Sequence, residues 1–301
     1  MIISYGGACH HIIEVDSIGS FMLKVRMMKK ILIAFDGTNF SKGAFEFVRQ
    51  MNEQSPVFVA GVFLPQVDYA NLWSYAEGVG DKIFIPLVEE ETALAIEKNI
   101  NTFKSLCQKN NIEYTVHKDF FDLAIPGIKK ETRFADLLVI GSQSFYENFG
   151  ADEPNDSLRD TLHRSECPVI IVPENFQSPS TNILAYDGSD DCTYAIKQFT
   201  YLFSNWCKNE TLLAYVGKGN DSTIPDREYI EELASRHFSK LTVAKLQIEP
   251  RKFFGTWLED HGPSILVSGA FSRSGLSQTF RKSFITEVIR DHKIPVFIAH
   301  L

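Results

Sequence analysis

Few residues in this sequence are arranged for covalent or metal chemistry. Its five cysteines, Cys9, Cys107, Cys167, Cys192 and Cys207, are odd in number and widely scattered, with no CxxC pair and no histidine at ligand spacing. The pattern therefore argues against a disulfide framework or a zinc site, and a reducing, cytoplasmic setting is expected. No apolar run reaches the roughly 18–20 residues of a membrane span. The opening 28 residues are broken by Glu14, Asp16, Lys24 and Arg26 and lack the basic start and continuous apolar stretch of a signal peptide. Positive charge is also short. With 30 Lys and Arg against 38 Asp and Glu the net charge is −8, which provides no global field to collect nucleic acid or an anionic membrane surface. GxxxxGKS/T, GxSxG and HExxH motifs are all missing, and the histidines have no sequence partners that suggest a triad. No catalytic and no metal-ligating residue is assigned.

What is present is a repeat. KKILIAFDGTNFSKGAFEFVRQM from Lys29 aligns without gaps on TNILAYDGSDDCTYAIKQFTYLF from Thr181. Each segment reads as an apolar strand, then Asp-Gly-Thr/Ser, then a helix with apolar residues three to four apart. Further on, Ala135–Ser142 (ADLLVIGS) answers Pro263–Ala270 (PSILVSGA), and Glu166–Pro173 (ECPVIIVP) answers Lys293–His300 (KIPVFIAH). The offset is 151 residues at the first motif and 128 at the second, so the first half carries about 23 extra residues in its middle, including Asp68–Pro86. That segment is either a plain surface excursion or a partner-binding loop.

Between these anchors strands and helices alternate. In the first half, strands at 31–35, 57–63, 112–118, 137–141 and 168–172 are separated by helices near 41–52, 87–109, 123–133 and 156–165. In the second, strands at 183–186, 210–216, 241–248, 264–268 and 295–299 are separated by helices near 191–205, 226–239, 253–261 and 280–291. Short, almost wholly apolar strands belong to a parallel sheet covered on both faces, so the chain is α/β with two open, five-stranded domains. The expected division is a leader over 1–28, a first domain over 29–173, a polar linker over 174–181 and a second domain over 182–301.

The Asp-Gly-Ser/Thr opening, the late strand ending in Gly and the final Pro-Val-apolar strand resemble the universal stress protein family in tandem form. The resemblance runs from about Lys29 to Leu301. It implies adenine-nucleotide-hydrolase-like domains that pair through their last strands. Val169–Val172 would then meet Val296–Ala299 within one chain as a pseudo-dimer, the covalent link supplying the effective concentration. Association into a further homodimer stays open.

In the family's ATP-binding members an Asp after the first strand and an apolar residue near the end of the second address the nucleoside. A Gly-x2-Gly-x9-Gly-Ser/Thr stretch holds the phosphates. In the second half the matching positions are Asp187, Val216, Gly269 and Ser283. Ser272 stands for the second glycine and Lys282 for the third, while Arg273, Arg281 and Lys282 give residues 269–283 a charge of +3. In the first half the counterparts are Asp36, Val62 and Gly141, but Glu147, Asp152, Glu153 and Asp156 give the following loop a charge of −4. Such a loop repels a triphosphate, and the half is degenerate for unaided nucleotide binding.

Structural alternatives exist for the same residues. Asp36 and Asp187 sit where an Asx turn or helix cap would use them. Gly141 and Gly269 suit close packing of a helix on the sheet, and the basic residues suit a solvated face.

The resemblance thus implies a cytoplasmic stress-response regulator or binding module. Its ligand would be ATP with Mg²⁺, or another adenine nucleotide, in the second domain, with slow hydrolysis as the outer limit of activity. The alternative is a stress protein that binds no nucleotide and acts through protein partners. The repeat requires nothing before Met28, so residues 1–27 are expected to be loosely attached. Limited proteolysis read by mass spectrometry should remove them first; a leader that persists as long as the core refutes this.

Overall fold

The computed structural model describes residues 28–35, 39–63, 90–117, 129–142, 165–216, 223–246, 262–269 and 293–301. Among these residues ten strands form one sheet. They are β1 (Lys29–Phe35), β2 (Val57–Phe63), β3 (Glu113–His117), β4 (Leu137–Gly141) and β5 (Val169–Val172), then β6 (Thr181–Tyr186), β7 (Glu210–Val216), β8 (Lys240–Leu246), β9 (Ser264–Gly269) and β10 (Val296–Ala299). Their order is β3-β2-β1-β4-β5-β10-β9-β6-β7-β8. All pairings within a half are parallel. The junction of the halves is antiparallel, with Val296 opposite Ile171, Phe297 opposite Ile170 and Ile298 opposite Val169. The expected meeting of the two terminal strands within one chain is what the sheet contains, and the fold class is two open five-stranded α/β units in an intrachain pseudo-dimer.

Burial explains the strand composition. On β1, Ile31, Ile33 and Phe35 enter one core layer while Leu32 and Ala34 enter the other, and all five are at most 2% exposed. A strand with both faces buried has no place for a polar alternation. The described helices are α1 (Lys42–Gln54), α2 (Glu90–Lys109), α3 (Asp190–Leu202) and α4 (Arg227–His237), with a 3₁₀ turn at Trp206–Lys208. Their apolar stripes, such as Ala44, Phe47, Val48 and Met51 on α1, all enter the layer that holds Ile31 and Phe35. None of the described helices is long and apolar enough to cross a membrane.

The two halves share that layer. Phe47 of α1 lies 6.0 Å, ring to ring, from both Phe203 and Trp206 of the second half, and 5.4 Å from Phe176 in the connection between halves. Phe203 stacks on Trp206 at 4.7 Å, and the Lys29 ammonium donates to the Leu202 carbonyl at 2.8 Å. The connection expected over 174–181 is therefore more than a tether. Phe176 is buried in the shared core, and Thr181 already pairs with Glu210 and Ser264 as the first residue of β6.

Some boundaries differ from the sequence expectation. The apolar periodicity that extends a helix to 205 is cut at Leu202, because Phe203 and Trp206 turn inward to stack. Although the repeat aligns without gaps, α1 is capped by Ser41 and α3 by Ser189, which corresponds in the repeat to Thr38. The second-half helix thus starts almost a turn earlier in the repeat. Of the helix expected near 123–133, residues 129–132 are helical and 123–128 lie outside the described residues. The helices expected near 156–165, 253–261 and 280–291 also lie outside them, apart from Ser165, which is not helical. So do the leader over 1–27 and the segment Asp68–Pro86.

Removing the ring at the shared core should unfold both halves together. Phe47→Ala is expected to cost about 3–5 kcal/mol, read from urea unfolding followed by circular dichroism. A single transition shifted to lower urea is the expected result, and two separate transitions would show that the halves unfold independently.

Candidate functional site

In each half the chain runs outward from the first strand to the second and third, then returns to place the fourth on the first strand's other side. The order therefore reverses between β1 and β4 and between β6 and β9. In open parallel sheets a crevice forms at such a reversal, outside the carboxyl ends of the strands. Asp187 follows β6 directly and Gly269 closes β9, so the second half carries both at its reversal point. Gly141, at the end of β4, occupies the same place in the first half.

Local chemistry builds the Asp187 turn. Asp187 Oδ1 accepts the Ser189 N–H at 3.1 Å, the pattern of an Asx turn, and Gly188 takes φ +86, open to glycine at little cost. Ser189 Oγ then accepts the Cys192 N–H at 3.3 Å and so caps α3. The Cys192 S–H donates to the same Asp187 oxygen at 3.1 Å. Burial pushes the Cys192 thiol up, against the opposing effect of hydrogen bonds from Ser189 and the Gly269 backbone. At ordinary pH it is a buried donor and no nucleophile.

Gly269 closes the arrangement from β9. A Cβ there would stand 2.6 Å from the Asp191 carbonyl carbon and from the Cys192 nitrogen. The first half repeats the contact with a different partner, since a Cβ at Gly141 would stand 2.3 Å from Ser41 Oγ. Ser41 and Cys192 are the same position in the repeat. Both glycines therefore have a packing role, which admits the start of a helix onto the strand end, and the Asp187 turn has a structural role of its own.

Of the other sequence-assigned residues, Val216 ends β7 in register with Leu246, and Val62 is buried on β2 between Ala34 and His117. Asp36, Ser272, Arg273, Lys282 and Ser283 lie outside the described residues. So does the acidic loop from Glu147 to Asp156. Among the described residues no cluster of three or more His, Cys, Asp or Glu could hold a metal ion. A groove of about 470 Å³ lies at the opposite, amino-terminal ends of β6, β7 and β8, lined by Thr181, Glu210, Lys240 and Thr242 among others, and is remote from the reversal point.

Two contributors were not visible in the sequence. Glu174 Oε2 accepts the Lys42 and Gly43 N–H groups at 3.0 and 3.3 Å, so a carboxylate 131 residues or more away neutralises the start of α1. At α3 the acids Asp190 and Asp191 lie in the helix's own first turn, and Asp191 also accepts the Leu301 N–H at 3.3 Å. Both helix starts are thus supplied with negative charge by the protein itself. The second contributor is Tyr186, whose O–H donates to the Pro225 carbonyl at 3.0 Å and brings the entry to α4 onto the Asp187 turn. The Asp-Gly-Ser turn and the close-packed glycines did carry a sequence signal.

No family model matches the chain. A universal stress protein from Synechocystis is 23% identical over 287 residues, which cover 89% of this chain and 99% of the relative. A crystal structure of a universal stress protein from Archaeoglobus fulgidus superposes with a TM-score of 0.63 at 16% identity, over 90% of this chain and 96% of that one. Along nearly its whole length the chain is thus similar in sequence to a universal stress protein, and across both halves it shares the fold of one.

Proposed function

We propose that the protein is a cytoplasmic stress-response binding module that takes an adenine nucleotide, ATP with Mg²⁺, at the reversal point of its second half. The observation that carries this reading is the joint presence of Asp187 and Gly269 at that one carboxyl-end rim, linked through Cys192. Asp187 and Val216 would address the nucleoside. Gly269, Ser272, Arg273, Lys282 and Ser283 would hold the phosphates.

Electrostatics favours the second half over the first. Since each helix start is already met by protein carboxylates, neither macrodipole is available to recruit a phosphate. Phosphate binding must come from the segment after the fourth strand, which carries +3 after Gly269 and −4 after Gly141. Guanidinium and ammonium groups supply charge-assisted hydrogen bonds to phosphate oxygens, whereas carboxylates repel them. The sequence carries none of the catalytic motifs GxxxxGKS/T, GxSxG or HExxH, so the function proposed is binding.

Calorimetry with ATP and Mg²⁺ at fixed salt tests the reading on the wild type, Lys282→Glu and Asp187→Asn. Saturable binding is expected in the wild type and none in Lys282→Glu. Asp187→Asn retains an oxygen for the turn while losing the charge, so its melting temperature should hold while affinity falls about tenfold. Absence of both heat and thermal shift in the wild type at millimolar ATP overturns the proposal.

A further inference from the structure

Pro225 is the contact through which the chain entering α4 reaches the Asp187 turn. Its carbonyl accepts the Tyr186 O–H at 3.0 Å, and a Cβ on Gly188 would stand 2.7 Å from the Pro225 Cβ. Tyr186 is 3% exposed, so this hydroxyl has little water to replace its partner. Burial first, and the nearby Asp226 carboxylate second, push the phenol up, and the group remains a donor throughout the neutral range.

The next residue shows what the contact imposes. Asp226 occupies the N-cap position of α4 at φ 47 and ψ 37, the left-handed region, and its side chain makes no capping hydrogen bond. An N-cap aspartate ordinarily sits in extended backbone and accepts an N–H from the first turn. Here it is held in a conformation that disfavours a non-glycine residue and forgoes the cap. Two arrangements of one short segment follow. In the observed one, Pro225 is pinned on Gly188 and Asp226 is strained. In the other, Pro225 is released and Asp226 relaxes into an extended, capping conformation.

We propose that the Tyr186–Pro225 hydrogen bond is a latch that holds residues 223–226 down on the Asp187–Gly188 turn and thereby controls ligand access to that turn. Its consequence for a nucleotide rests on the binding function proposed above; its existence as a two-position element does not. The first half lacks the device, because the residue equivalent to Tyr186 is Phe35, which has no hydroxyl and is packed between Phe40 and Phe63 at 4.7 and 4.9 Å. Phe35 is 1% exposed, which also shows that phenylalanine fits this position of the repeat.

The test uses the full chain and two variants with opposite expected effects. Tyr186→Phe removes the pin, whereas Asp226→Gly removes the strain that opposes it. Hydrogen exchange read by mass spectrometry should rise about fivefold for residues 227–231 and for Ser189 in Tyr186→Phe, the change one net hydrogen bond sustains. It should fall by a similar factor in Asp226→Gly. In stopped-flow binding of ATP with Mg²⁺, the association rate should move in the same directions. Unchanged exchange in both variants overturns the latch. Altered exchange with unchanged association rates overturns its control of access. If neither wild type nor Tyr186→Phe binds ATP, the nucleotide reading fails and the exchange results alone decide whether the latch exists.

Discussion

The antiparallel pairing of β5 with β10 is the constraint on which the rest of the molecule depends. Among the described residues every other pairing in the sheet is parallel, and this junction alone reverses the strand direction. It removes two inner edges that would otherwise present unpaired backbone groups. It also points the carboxyl-end rims of the two halves in opposite directions. The reversal points at Gly141 and Gly269 therefore stand at opposite ends of the sheet and cannot share one ligand. The strand pairing is narrow, with three residue pairs, and the broader hold comes from the aromatic layer beside it. Phe47 reaches across to Phe203 and Trp206, and Phe176 carries the connecting chain into the same layer. A junction of backbone bonds alone would add little net stability, because each such bond replaces one to water. The buried rings supply the apolar area that makes the two halves one body.

Much of this architecture could be read from the residues because its causes are local. A run such as Leu137–Gly141 is buried at every position, and an unbroken apolar run of that length is what a doubly covered strand requires. Asp187-Gly188-Ser189 announces a turn and a cap through side chains that act within five residues of one another. The features that escaped have distant causes. Glu174 meets α1 across 131 or more residues, Tyr186 meets Pro225 across 39, and the end of α3 at Leu202 is set by inward stacking of Phe203. The repeat is not exact in one respect. Asp36 and Asp187 align in it, yet the caps Ser41 and Ser189 do not. The gapless alignment preserves the position that touches the strand-end glycine, Ser41 or Cys192, and lets the helix boundary slide around it. Contact between helix and glycine is the conserved geometry of the two halves, and the cap is adjusted to it.

That contact also decides how the candidate site should be understood. Gly269 and Asp187 each have a structural task that requires the residue type present, since a Cβ at Gly269 strikes the backbone of α3 and Asp187 Oδ1 organises both Ser189 and Cys192. A structural task does not compete with binding here. A carboxylate already fixed by the turn undergoes little further ordering when a ligand arrives, and a backbone already brought close at glycine leaves no side chain to displace. The cost of holding these groups in place is met by folding, through the packing of α3 against β9 and β10. The two halves share the close contact of strand-end glycine and helix start, and differ in the charge of the segment that follows it. That shared contact alone confers no preference between the halves, and the sign of the adjoining charge, +3 against −4, is the property on which the proposed anion site in the second rests.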